Sequence, residues 1–259
     1  MNNELTQKII AANIDLHKEE AKFYDRIHKE IFNFSEQKLI GRILNLAVEA
    51  TKSSSMKVLD IGTGTGNISL KLIADQRAAS IIGLDLSKEM LDELRKKANN
   101  NSKLELVNID LDSFIAANQI KFDLITISSV LHHLPDYFAS IDKIINSLNS
   151  NGVLAIFHEP TGEKSGLLRF IEWLDVSIFV NLFLPTEIYK LFKSLDYSLA
   201  DYQISRGFSM AELKKYFTER KDLDIIYEDQ HSVFELWPFR LIGKILLPKN
   251  NFIMVLKKK

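Results

Sequence analysis

The chain predicts a doubly wound α/β fold on a mostly parallel sheet, and three observations carry that prediction. From Met56 to about residue 159, short apolar runs alternate with helical stretches. The runs lack the apolar–polar alternation of a half-exposed strand, so each reads as a strand buried on both faces, as parallel sheets require. A glycine-rich turn, GTGTG at residues 62–66, follows the first run, at the sheet edge where such folds bind ligands.

Taken in order, residues 1–52 form an amphipathic helical arm. Ile9, Ile10 and Ile14, then Ile40, Ile43, Leu44 and Ala47, recur at helical spacing around the aromatic-rich KFYDRIHKEIFNF (residues 22–34). A core at 53–159 carries the strands KVLDIG, SIIGLDL, LELVNID, FDLITIS and GVLAIFH. The helices NISLKLIADQ, SKEMLDELRKKA, DSFIAANQ and PDYFASIDKIINSLN lie between them. Right-handed crossovers then cover the sheet on both sides. An insertion at 160–220 holds two helices split at Pro185 and a third, SMAELKKYFTER, opened by a capping box of Ser209 and Glu212. The tail, 221–259, offers LDIIYEDQHSVFEL and NFIMVLKK as strands, with Trp237-Pro238 and Pro248 between them. Residues 1–259 thus read as a single domain with an arm and a helical lid.

Composition removes several function classes. Thirty-three basic side chains against 34 acidic ones leave a net charge of -1, which gives no electrostatic case for nucleic acid. The absence of cysteine excludes disulfides, thiolate catalysis and thiolate-bound metals. MNNELTQKII lacks a secretory pattern, and the apolar window Gly166 to Pro185 is interrupted by Arg169, Glu172 and Asp175. The expectation is a cytoplasmic protein.

Glycines after the first strand let backbone amides approach a ligand, and the helix from Asn67 favours an acceptor there. Their G-x-G-x-G spacing departs from the dinucleotide G-x-G-x-x-G, whose third glycine would fall on Asn67, and no G-x-x-x-x-G-K-[ST] is present. Asp60, beside the loop, would repel phosphate and welcome an ammonium group. Asp85 ends SIIGLDL, where an acid can accept from both hydroxyls of a ribose. Asp110 ends LELVNID, so three acids close consecutive strands at one edge.

DIGTGTG, GLDLS, NIDL and FDLITISSVLHHLPD together resemble the successive motifs of class I S-adenosylmethionine-dependent methyltransferases of the small-molecule type, over roughly residues 20 to 160. The resemblance implies a Rossmann-like sheet of seven strands with the last inserted antiparallel; DIIYEDQHSV and FIMVLKK complete that count. It implies S-adenosyl-L-methionine as cofactor, S-adenosyl-L-homocysteine as product and no metal. Asp60 would hold the methionine amino group through its neighbourhood, and Gly62, Gly64 and Gly66 would pass the backbone around the amino-acid and ribose part. Asp85 would take the ribose hydroxyls, with Leu86 and Met90 against the adenine. Asp110 would accept from the adenine amino group, with Leu111 on the ring. Ser128 would line the methionine end, and Tyr24 would close over the cofactor.

Methyl transfer from a sulfonium needs a base only when the acceptor must lose a proton. His133, His132 and His158, at the ends of the fourth and fifth strands, are the candidates. His17, His28 and His231 have no supporting constellation, and no His and acid set has metal-ligand spacing. The segment at 166–185 is apolar around most of its circumference, with Arg169, Glu172 and Asp175 as a polar stripe. Trp237-Pro238-Phe239 and Ile245-Leu246-Leu247-Pro248 add to this surface. Together they point to an apolar or lipid-like small-molecule acceptor under a lid, with peripheral membrane contact left open and a monomer or homodimer expected. A pocket lined by acids and amides would overturn that acceptor. Two alternatives stand beside this reading: a catalytically inactive cofactor-binding regulator, and a nicotinamide-dependent oxidoreductase, which the glycine spacing disfavours.

Overall fold

A computed structural model describes residues 3–134, 136–161, 166–194, 209–245 and 249–259. The arm consists of α1 (Asn3–Glu20), the single turn α2 (Tyr24–Ile27) and α3 (Phe34–Thr51). The core then alternates β1 (Met56–Ile61), α4 (Ser69–Ala74), β2 (Ala78–Leu84), α5 (Lys88–Lys97), β3 (Leu104–Val107), α6 (Leu111–Ala117), β4 (Phe122–Ser128), α7 (Tyr137–Asn146) and β5 (Leu148–Pro160). Beyond it lie α8 (Gly166–Phe183), α9 (Thr186–Ser194), α10 (Met210–Glu219), β6 (Leu223–His231), α11 (Trp237–Ile245) and β7 (Asn251–Lys258).

The seven strands are ordered β3-β2-β1-β4-β5-β7-β6, and β7 runs antiparallel to both its neighbours. Chain order reverses between β1 and β4, which pair in parallel from Val58↔Leu124 to Ile61↔Ile127. The glycine loop leaves β1 at this switch point, where helices diverge and a crevice opens. One face of the sheet is sealed by Phe114, Ile141, Ile144, Leu213 and Phe217 from α6, α7 and α10. The other is sealed by Ile40, Ile43, Leu44 and Ala47 of α3 with Ile68 and Leu72 beside α4. The arm's third helix is therefore part of the core. Ser209 caps α10 by accepting from Glu212 N at 3.2 Å, as the capping box requires.

Three local expectations are corrected. β3 ends at Val107, so Asp110 does not close a strand; it caps α6, its Oδ1 accepting from Ser113 N at 2.9 Å. The LDIIYEDQHSVFEL run pairs only as far as His231, and Trp237-Pro238 opens a helix, where proline costs no hydrogen bond in the first turn. On α8 the two acids of the polar stripe turn inward while Arg169 is exposed. Asp175 is buried and accepts from Glu235 N at 2.6 Å and Leu236 N at 3.0 Å, and Glu172 accepts from Asn250 Nδ2 at 2.8 Å. The apolar Leu167, Phe170 and Trp173 are exposed. Of the aliphatic run, residues 246–248 lie outside the described residues. Among the described residues no helix is long and apolar enough to cross a membrane.

The turn after β4 is fixed by a carboxylate from β5. Glu159, fully buried, accepts from Val130 N at 2.6 Å and Leu131 N at 2.9 Å through one oxygen, and from His132 N at 3.3 Å through the other. Burial pushes its carboxyl up to about 7, against the pull of these amides. Next to it the ladder between β5 and β7 is irregular, and His158 adopts a left-handed φ of 53°.

Two stability measurements follow. A Cβ on Gly66 (φ 100°) would stand 2.4 Å from Leu94 Cδ1, whereas one on Gly64 (φ 52°) meets nothing closer than 3.9 Å. Urea denaturation should find Gly66→Ala less stable by about 2–4 kcal/mol and Gly64→Ala by about 1 kcal/mol, overpacking adding to strain only in the first; equal losses would contradict the steric account. Glu159, with a folded pKa above its unfolded value, contributes stability below about pH 4.5 that is lost as pH rises through about 7. Relative to Glu159→Gln, wild type should therefore lose up to about 3 kcal/mol over that window, and a difference independent of pH would refute the assignment.

Candidate functional site

At the crevice the glycine loop is held by two carboxylates with different tasks. Asp60 is 1% exposed, and all its capacity is turned on protein hydroxyls. Thr126 donates to Oδ1 at 2.7 Å, and Thr63 and Ser69 donate to Oδ2 at 2.8 and 2.7 Å. Burial raises its pKa while the three hydroxyls pull it back. It borders a small cavity under the loop and not the large one above it, so its part in the large cavity runs through the loop it fixes. Asp85, half-buried, accepts from Gly64 N at 2.8 Å and from Ser87 N at 2.8 Å. Burial raises its pKa as well, with those amides and the charge of His17 opposing.

Above this edge lies a cavity of about 390 Å³. Gly62, Gly64, Asp85, Leu86, Met90, Asp110, Leu111 and Ser128 all border it, so these expected residues do converge. Gly66 does not border it and packs toward Leu94 and Leu70 instead. The cavity therefore has an acid at the end of β2, a backbone wall at the loop and an apolar floor of Leu86, Met90 and Leu111. Asn108 reinforces the acid's position, its amide donating to the carbonyls of Asp85 and Leu86 at 2.9 and 2.8 Å.

A second cavity of about 390 Å³ adjoins the first behind the arm. The two share His17, Tyr24, Ser129 and His133, which stand at the junction between them. Tyr24 also borders a small third cavity under the glycine loop. Beyond that junction the residues lining the second cavity include the acids Glu20, Glu30, Glu172, Asp175 and Glu235 and the amide residues Asn250 and Asn251. Asn251 Oδ1, on a residue 4% exposed, has no hydrogen-bond partner among the described residues. Such an atom is costly to bury unpaired and suits a ligand that hydrogen-bonds.

The three histidine candidates separate on this geometry. His133 borders both cavities. His132 borders only the second, with Nδ1 2.8 Å from Glu159, so it belongs to the turn's anchor. His158 also borders only the second, with Nδ1 3.5 Å from Glu36 Oε1.

The histidines without a constellation in the sequence acquire one in space. His17 Nδ1 lies 2.7 Å from Glu20 Oε1, and its ring meets His133 edge-on at 5.5 Å. His28 Nδ1 lies 2.8 Å from Glu30 Oε1, its Nε2 is 3.6 Å from Glu20, and its ring is 4.3 Å from that of Tyr24. His231 Nε2 lies 2.8 Å from Glu36 Oε1, which brings Glu36, His158 and His231 within ligand distance of one another. Despite its burial Glu36 is held near 2 by the two imidazoles. The spacings of His17 with Glu20 and of His28 with Glu30 are the available sequence signals; the contacts of His17 with His133 and of Glu36 with His158 and His231 join residues far apart in the chain.

A family profile described as "Methyltransferase domain" matches residues 59–154, the stretch from β1 to β5. The ubiquinone biosynthesis O-methyltransferase of Leptothrix cholodnii is 30% identical over 161 residues, 60% of this chain and 68% of that protein. The malonyl-[acyl-carrier protein] O-methyltransferase of Acetivibrio thermocellus is 28% identical over 135 residues, 52% of this chain and 44% of that one. The chain spans less than half the length of the first curated relatives it matches, 42 to 44%. Among solved structures, the plantazolicin methyltransferase BpumL, in complex with a substrate analogue and SAH, superposes with a TM-score of 0.60 at 15% identity over the whole of both chains. The sheet order, the glycine loop at the switch point and these matches agree: the chain belongs to the methyltransferase family of class I fold.

Proposed function

We propose that the chain transfers a methyl group from S-adenosylmethionine, bound in the first cavity, to a small acceptor bound in the second. The observation that carries this reading is that His17, Tyr24, Ser129 and His133 border both of two cavities of similar size, one of them bordered by the family's loop and acids; we read that junction as the passage between them. Asp85 would accept from the ribose hydroxyls, Leu86, Met90 and Leu111 would pack on the adenine, and Ser128 would face the methionine end. Asp60 acts through Thr63 and Ser69 on the loop. When bound, the cofactor supplies an activated methyl on a sulfonium; the protein's part is to align the acceptor with it and exclude water, worth on the order of 7–11 kcal/mol.

The second cavity combines acids and amides with an apolar wall, which refines the apolar or lipid-like acceptor expected from the sequence. The reading they support is an acceptor with a polar reacting end, hydrogen-bonded by the cavity, while Leu16, Ile27, Ile31 and Phe234 pack against its apolar part. The relatives named for ubiquinone biosynthesis and for malonyl-acyl carrier protein bracket this description with a ring and a carboxylate.

Calorimetric titration should give S-adenosylmethionine binding and no NADH binding; the reverse would restore the oxidoreductase. Transfer of labelled methyl to any component of a cell extract then removes the inactive regulator. Asp85→Ala should weaken cofactor affinity about 10- to 100-fold, the loss of a buried acceptor. An unchanged dissociation constant would remove Asp85 from the ribose.

A further inference from the structure

His17 is absent from the family motifs, yet it stands in the passage between the cavities with a buried carboxylate behind it. Glu20, whose side chain is 1% exposed, faces Nδ1 at 2.7 Å. A carboxylate in that position fixes the tautomer with the proton on Nδ1, directs Nε2 at the reacting group and stabilises the imidazolium once it forms. His132 and His158 border only the acceptor cavity.

We propose that His17 is the general base of the transfer, with Glu20 as its positioning residue, and that the acceptor is a neutral hydroxyl on a ring. This rests on the methyltransferase reading above. In the step the acceptor oxygen attacks the methyl carbon and forms the C–O bond. The C–S bond breaks with its electron pair passing to sulfur, which leaves as the neutral thioether. The hydroxyl proton passes to His17 Nε2 and afterwards to solvent. A base is superfluous for a carboxylate acceptor, which is already ionised. Flat rings flank the passage, with Tyr24 and His28 at 4.3 Å and His132 and His133 at 4.0 Å, a setting for a planar acceptor.

The groups facing His17 are Glu20 on its own helix, Tyr24 and His28 on α2, Asp85 after β2 and His133 on the turn. Burial lowers the imidazole pKa, but the Glu20 hydrogen bond and the charges of Glu20 and Asp85 outweigh it, and the net shift is upward. The neutral, proton-accepting ring therefore grows in as pH rises above 6.5.

The test uses the full chain, saturating S-adenosylmethionine and two probes: catechol, whose hydroxyl must lose its proton in the step, and 4-nitrocatechol, already ionised near neutral pH. His17→Asn should lower kcat on catechol by about 100-fold or more and on 4-nitrocatechol by less than about tenfold. Wild-type kcat on catechol should rise with pH through one ionisation above 6.5, and Glu20→Gln should move that midpoint down. Should Glu20→Gln fail to fold, the His17→Asn comparison decides alone. Equal losses on both probes would make His17 structural and overturn the proposal. So would a wild-type chain that binds the cofactor but methylates neither probe, with the methyltransferase reading left standing. A chain that does not bind S-adenosylmethionine removes that reading itself.

Discussion

Everything at the sheet edge depends on one carboxylate that bonds only to protein. Asp60 gathers the hydroxyls of Thr63 from the loop, Ser69 from the first turn of α4 and Thr126 from the neighbouring strand β4. A buried charge with unfilled lone pairs would cost several kcal/mol, and here three donors fill them. The same bonds fix the loop relative to both strands at the switch point. Gly64 N can then reach Asp85, and the backbone wall of the first cavity is set. Removing any donor loosens the loop and strands part of the charge at once.

The second cavity is organised on the same principle, with imidazoles in place of hydroxyls. Glu20 answers to His17 and His28, Glu30 to His28, and Glu36 to His158 and His231. Burial alone would raise each carboxyl, yet Glu30 and Glu36 end near 2. Glu235, beside Glu30 and without an imidazole of its own, goes the other way to about 11. The wall therefore alternates charged and neutral acids. These acids and imidazoles come from α1, the segment after α2, α3, β5, β6 and the segment before α11, Glu36 and His231 not bordering the cavity themselves, so the arm and the tail are tied together through them.

Much of this architecture was legible because it is written locally. A doubly buried strand is a continuous apolar run, and the Asp60, glycine and Asp85 signals sit within a few residues of strand ends. The Asp110 expectation failed by three residues because strand length is not encoded so sharply: Asn108 and Ile109 suit either a strand or the loop that follows β3. The polar stripe of α8 is legible in the sequence, but the inward turn of its two acids is not. Its partners, Glu235, Leu236 and Asn250, lie more than fifty residues on, and helical periodicity cannot tell a polar face that meets water from one that meets orphan amides. The pairs of Glu36 with His158 and His231 are hidden for the same reason, whereas those of His17 with Glu20 and His28 with Glu30 are local in the chain.

Tyr24 gives the arrangement a thermodynamic consequence. One ring forms part of the wall of all three cavities. It is carried on a single-turn helix between two long ones and packs on His28 and Phe32. A molecule in one cavity that shifts this ring alters the room left in the next, and by linkage the influence is equal in both directions. Occupancy of the two chambers is thereby coupled through a side chain, without any movement of the sheet beneath.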